Sequence, residues 1–229
     1  MEFEHDFGAT NGDATFLRIQ PLYALPLSER WRLVNMDIVT FADAPGGVPG
    51  QPGNPNPAPG ERAFGLGDWI HASFLTPENQ PGFIWGAGVM LSLPTATDEV
   101  LGSGKWAAGP ALRLTFRGGS WNLGAIAGQR WSFAGDGSRP DVNALMIRGT
   151  MRYQLPDGWY LVSAPIITAN WNAPSSERWL VPLGGGPGIT FEVGEHRWAA
   201  SVQAYYNAIR PDGAPDWSIR LQLVAAIPN

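Results

Sequence analysis

Between Asn143 and Gln154 the chain alternates two kinds of residue without a break. Leu145, Ile147, Gly149, Met151 and Tyr153 fall on one side, and Ala144, Met146, Arg148, Thr150, Arg152 and Gln154 on the other. Side chains of an extended strand point to opposite faces with period two. The stretch is therefore a strand with one apolar face and one face that carries guanidinium groups. The pattern recurs. Trp198, Ala200, Val202, Ala204 and Tyr206 oppose Ala199, Ser201, Gln203, Tyr205 and Asn207. Trp217, Ile219, Leu221, Leu223, Ala225 and Ile227 oppose Ser218, Arg220, Gln222, Val224 and Ala226. Segments 105–116, 121–134 and 178–193 behave alike, whereas 31–42, 64–76 and 159–171 alternate less cleanly and leave their register open.

Turn signals separate these segments at nearly regular intervals. Short ones stand at 26–30, 77–82, 117–120, 156–158 and 194–197, and longer ones at 8–14, 42–62, 94–104, 135–141, 172–177 and 210–216. Short and long turns alternate strictly, as in a barrel with tight turns at one rim and looser loops at the other. Twelve segments result: 1–8, 14–26, 31–42, 64–76, 83–94, 105–116, 121–134, 142–154, 159–171, 178–193, 197–209 and 217–228. An even number puts both termini at the short-turn rim. The 42–62 segment, ADAPGGVPGQPGNPNPAPGER, is Pro/Gly-rich and too poor in large apolar groups to fold by itself.

Composition decides what the two faces touch. Hydrophobic residues make up 44% of the 229, which excludes general disorder, and charged residues only 15%, below the roughly 25% usual in soluble domains. The polar faces carry Gly, Ser, Thr, Asn, Gln and Arg rather than the Lys and Glu of a solvated surface. Aromatics stand at segment ends: Trp31, Phe83, Trp121, Trp159 and Trp198 after the short turns, and Trp106, Trp131, Trp171, Trp179 and Trp217 near the other rim. Amphipathic rings favour the headgroup level, so these ten are expected to form membrane-interface girdles. No run approaches the ~20 apolar residues of a membrane helix. The fold expected is all-β: a single transmembrane, antiparallel, up-and-down β-barrel of about twelve strands over 1–229. Its bore is polar and holds no aliphatic kernel. Its partner is a lipid bilayer or detergent. The net charge of −5 argues against nucleic acid, and the absence of cysteine excludes disulfides and thiol chemistry. The acidic N-terminus MEFEHDFGATNG is not a signal peptide, so an exported chain is expected here in mature form, with Met1 added for expression.

Several motifs together resemble one family. They are LGD at 66–68, SLPTATDEVLGSGKWAAGP at 92–110, QRWSFAG at 129–135, DGWYLVSAPIITANW at 157–171, RWLVPLGGGPG at 178–188 and YYNAIRPDGAPDWSIRLQ at 205–222. The chain from about residue 14 onward is similar to the bacterial outer-membrane transporters named for the MetA pathway of phenol degradation, some of which carry the label neuromedin-like. The resemblance implies an outer-membrane barrel of a Gram-negative bacterium and a channel for aromatic or other small compounds. The short N-terminus and the Pro-rich 45–59 stretch depart from the family.

With this register Arg18, Asp37, Arg113, Arg130, Arg148, Arg152, Glu192 and Arg220 line the lumen. Glu4 and Asp6 join them beside the closing strand, where Arg220 is a natural partner, and Lys105 lies near the loop rim. An Arg surplus that stays unneutralised would favour anions. No cofactor and no metal are expected, since His5, His71 and His196 are far apart in sequence. HExxH, GxSxG and P-loop spacings do not occur. Gly184, Gly185, Gly186 and Gly188 continue as a strand and are expected to thin the wall. Ser73 with His71 is too little for a lipase, so no enzyme activity is expected.

The functional reading is passive diffusion of small solutes through an Arg-lined lumen. One alternative is an occluded barrel that serves as a structural or binding module, with 42–62 as its contact surface. Another is a soluble calycin-like barrel holding an apolar ligand. Twelve strands lie between the filled eight-stranded barrel and the open sixteen-stranded porin, so both an open and a plugged bore are compatible with the strand count.

Overall fold

The computed structural model describes residues 1–78 and 80–226. Asn79, in the turn at 77–82, and Ile227 and Pro228, in the last expected segment, lie outside the described residues. Fifteen strands are formed. The first seven are β1 (Glu2–Phe7), β2 (Ala14–Ile19), β3 (Leu22–Pro26), β4 (Trp31–Ala44), β5 (Ala63–Leu66), β6 (Trp69–Pro77) and β7 (Phe83–Leu93). The rest are β8 (Lys105–Gly118), β9 (Trp121–Gly135), β10 (Asn143–Gln154), β11 (Trp159–Ser163), β12 (Ile166–Asn170), β13 (Trp179–Val193), β14 (His196–Ile209) and β15 (Trp217–Ala226).

Three staves of the barrel are broken, two of them at a proline. β2 and β3 both pair with β4 across Gln20–Pro21, where Pro21 has no N–H for the ladder and its carbonyl accepts from the Asp37 N–H at 3.0 Å. β5 and β6 both pair with β4 across Gly67–Asp68. β11 and β12 both pair with β10 across Ala164–Pro165, where the Pro165 carbonyl accepts from Gly149 at 3.0 Å. Rejoined, the fifteen segments make twelve antiparallel staves. β1 pairs with β15 from Glu2↔Gln222 to Phe7↔Trp217, which closes the cylinder and leaves no sheet edge.

The outside of the cylinder is apolar and uncovered. Phe3, Leu75, Val89, Leu112, Leu123, Leu161, Leu183, Val202 and Ile219 come from nine different strands, and all are exposed. Their neighbours in sequence point inward: Gln203 next to Val202 is 1% exposed and Arg220 next to Ile219 is 2% exposed. A soluble calycin-like barrel turns the opposite faces to water, so this arrangement fits oil outside the wall. The rim aromatics also stand on the outward face. Trp31 meets Trp85 edge-on at 6.4 Å and Trp121 meets Tyr153 at 4.7 Å near the short turns. At the loop rim Trp171 meets Trp179 at 5.4 Å and donates to Gln129 Oε1 at 2.8 Å.

The glycine run of β13 lets the wall close up. A Cβ at Gly188 would stand 2.2 Å from the buried Tyr160 ring, which packs under the Arg152 guanidinium at 3.5 Å. We expect Gly188→Leu to destabilise the folded barrel by about 1–3 kcal/mol, the usual cost of overpacking. Gly137→Ala, where an added Cβ meets nothing within 4 Å, should leave the urea midpoint unchanged.

Candidate functional site

The bore contains a compact ionic cluster built from strands that meet at the closing seam. Period two brings Glu2 and Glu4 of β1, Arg18 of β2, Arg148 of β10 and Arg220 of β15 to the inside. Arg18 donates to Glu2 at 3.2 Å and also pairs with Glu4. Arg148 bonds Glu2 at 3.0 Å and also contacts Gln20. Arg220 bonds Glu4 at 3.2 Å, donates to the Ala164 carbonyl at 2.6 Å and lies over the Tyr205 ring at 4.9 Å. Glu2, Glu4, Arg18 and Arg220 are all under 9% exposed. Three guanidiniums against two carboxylates leave one positive charge, and Asp6, which accepts from Gln51 at 3.5 Å, stands beside them. These arginines are spoken for.

Opposite this cluster the inner wall is greasy. Val34, Met36 and Ile38 of β4, Ile70, Ala72 and Phe74 of β6, and Met90 of β7 pack across the bore onto Ala111, Met146 and Ile166. This corrects the expectation of a polar bore without an aliphatic kernel. In β4 and β6 the apolar residues take the inward face and the polar ones the outward face, the reverse of β10, β14 and β15. Asp37 is corrected with them: it is not a lumen residue but lies on the outward face, paired across the ladder with His71.

The 45–62 loop folds inward over this septum. Arg130 donates to the Pro52 carbonyl at 2.5 Å, Asn54 to the Val100 carbonyl at 2.9 Å, Asn170 to the Pro55 carbonyl at 3.0 Å, and Thr168 to the Gly50 carbonyl at 3.4 Å. Val48 and Asn54 are buried. Cavities remain above and below. One of about 240 Å³ lies on the loop side, lined by Pro52, Arg130 and Asn170, and one of about 740 Å³ opens at the short-turn mouth. Between them lie spaces of about 50 and 30 Å³ around the loop and the ionic cluster.

Charge divides along the bore. Arg130 is fully buried, bonded to Ser92 and the loop, and has no carboxylate in ion-pair range among the described residues. Lys105, at the loop rim, stands 3.4 Å from Asp141. The Ser132 hydroxyl, and then Lys105, hold that exposed carboxyl below its ordinary value. At the other end Arg152 donates to Thr190 at 2.7 Å and Gln154 at 3.2 Å and has no carboxylate in ion-pair range among the described residues. Arg113 likewise has no acidic partner among the described residues, and its charged neighbours are Arg32 and Arg117. Glu192 is an exposed mouth residue 4.0 Å from Arg197. Of the ten girdle aromatics, Trp171, Trp179 and Trp198 are half-buried and the others exposed.

No family model and no curated protein matches this chain. Among solved structures, an outer membrane channel from Pseudomonas putida F1 superposes over 98% of this chain and 93% of its own, with a TM-score of 0.64 and 14% identity. At that identity the likeness carries the barrel fold.

Proposed function

We propose that the chain is an outer-membrane channel of a Gram-negative bacterium that passes small solutes by diffusion and rests in a shut state. The observation that carries this reading is the 45–62 loop: it is folded into the bore of a closed cylinder and held there by single hydrogen bonds. A plug of polar contacts and prolines can leave without unmaking the barrel, whereas the closing ladder cannot. The family resemblance and the fold shared with a bacterial channel support the same reading. They also make aromatic or other small compounds the first solutes to try.

Selectivity is set at the short-turn mouth. Arg18, Arg148 and Arg220 are held in ion pairs by Glu2 and Glu4 with one positive charge left over, so at this mouth the field felt by a passing ion comes mainly from Arg113 and Arg152. Reversal potentials across a salt gradient test this. A chain opened by deletion of residues 46–60 should prefer chloride to potassium, and adding Arg113→Ala with Arg152→Ala should bring the reversal potential toward zero. An unchanged anion preference in the double variant would remove these two residues from the filter. Complete absence of conductance in that opened chain, at amounts where a known porin conducts, would favour the occluded structural barrel.

A further inference from the structure

The outward wall carries a polar notch where β4 and β6 run side by side. The register places Asp37 opposite His71 and Asn35 opposite Ser73, all four on the outward face. Asp37 Oδ1 lies 2.7 Å from His71 Nδ1, and His71 Nε2 lies 2.9 Å from Ser73 Oγ. Trp69 Nε1 donates to the same Asp37 oxygen at 3.0 Å, and Ser73 Oγ is 2.6 Å from the Asn35 amide oxygen. Asp37 and Asn35 are buried, while His71 and Ser73 reach the surface. Around the notch the wall is Leu75, Val89 and Leu91.

From this arrangement we infer a serine acyl-hydrolase site on the lipid-facing wall, with ester-linked membrane lipid as its substrate. The order carboxylate, imidazole, hydroxyl is that of an orienter, a general base and a nucleophile. The carboxylate is shielded and the nucleophile is reachable. Packing does not call for the group: a carboxylate and an imidazole on a lipid wall are costly, and apolar residues of similar volume would pack there at no loss. Ionisable side chains kept in such a place mark function by default. The notch also stands apart from the bore, since Ile38 and Ile70, the sequence neighbours of Asp37 and His71, point inward.

The location names the substrate class. In a membrane this wall meets bilayer lipid. His71 and Ser73 stand one and two pleats below Trp69, which is exposed at the loop-rim end of β6, about 5–10 Å by strand rise and tilt, where ester-linked chains begin. Ser73 Oγ attacks the ester carbonyl carbon as His71 Nε2 takes the hydroxyl proton. The C–O bond to the lyso-lipid breaks and the leaving oxygen takes that proton from His71. Water then adds to the acyl-Ser73 ester, giving its proton to His71. The fatty acid leaves and the proton returns to Ser73. Asp37 holds the imidazole in the tautomer that accepts at Nε2. Turning the Ser73 hydroxyl from Asn35 to His71, with the Asn35 amide presenting its NH₂ instead, readies the nucleophile and leaves an N–H beside the developing oxyanion.

The inference rests on lipid facing this wall and is independent of conductance. The test uses the full chain refolded in two kinds of vesicle, one of diacyl phosphatidylethanolamine and one containing lipopolysaccharide. The folded fraction is read from the gel-mobility difference between unheated and boiled samples. Released fatty acid is measured, and a fluorophosphonate probe is mapped by mass spectrometry. We expect release in one or both arms, which identifies the lipid, and phosphonylation at Ser73. With equal folded fraction, Ser73→Ala should abolish both and His71→Ala should lower turnover by about 10²- to 10⁴-fold, the worth of a general base. Asp37→Asn should lower kcat and leave KM in place, as expected of a positioning residue. No release in either arm from folded protein, or release that survives Ser73→Ala, overturns the assignment.

Discussion

A chain lacking residues 46–60 should conduct where the full chain stays near baseline. The deletion is geometrically mild. Ala44 already pairs with Ala63, so Pro45, Glu61 and Arg62 suffice to close the β4–β5 hairpin. What is removed is the plug: the contacts from Arg130, Asn170 and Thr168 to the loop backbone, and that from the loop's Asn54 to the Val100 carbonyl, disappear. The loop-side cavity of about 240 Å³ then opens directly onto the septum. In planar bilayers we expect a several-fold rise in mean current, and a further rise when Met146→Ala thins the septum, because Met146 is the fully buried side chain that β10 sends into it. Unchanged current in the deletion chain, with the barrel folded, would mean that the loop is not a lid.

The largest loss of stability should follow from Glu4→Gln. Glu4 is the carboxylate shared by Arg18 and Arg220, and its removal leaves three guanidiniums, those of Arg18, Arg148 and Arg220, facing one remaining acid, Glu2. Breaking a buried pair by removing one partner costs about 3–5 kcal/mol, mostly because the other charge is stranded. The seam makes this worse, since Glu4 stands on the strand whose pairing with β15 closes the cylinder. Glu192→Gln is the contrast: its partner Arg197 is exposed at the mouth, 4.0 Å away. A surface pair of that kind is worth about 0–1 kcal/mol. Urea unfolding in detergent, followed by tryptophan emission, should separate the two variants clearly. Equal midpoints would show that the bore is wet enough to screen the cluster.

How far the sequence carries can be judged strand by strand. β10, β14 and β15 alternate cleanly, and in them Arg148, Gln203 and Arg220 point inward as period two requires. The open register at 31–42, 64–76 and 159–171 has a physical source: two of these staves are broken, at Gly67–Asp68 and Ala164–Pro165, and the third, β4, pairs across two breaks. Asp37 shows the deeper limit. Period two sorts residues into faces but does not say which face is inside. Assuming that polar means inward works for β10 and fails for β4, where Val34, Met36 and Ile38 form the septum. A signal existed: β6 repeats the inversion, with Ile70, Ala72 and Phe74 opposite His71 and Ser73, so the two strands are consistent with each other. The same assumption hid the Asp37–His71 contact, because it put the carboxylate on the wrong side of the wall. The inward fold of the 45–62 loop was not readable, since it depends on carbonyl acceptors meeting Arg130, Asn54, Asn170 and Thr168 from distant parts of the chain.

All of this depends on hydrocarbon bathing the outer wall. The chain has no cysteine, so single cysteines placed along β14 can carry nitroxide labels without background. Labels at Val202, Ala204 and Ala208 should relax strongly with oxygen and weakly with a water-soluble nickel chelate in lipid vesicles, and labels at Ser201 and Asn207 should not share that oxygen preference. A nickel chelate that reaches Val202 and Ala204 more readily than oxygen does would put water on the outside of the cylinder and contradict the account.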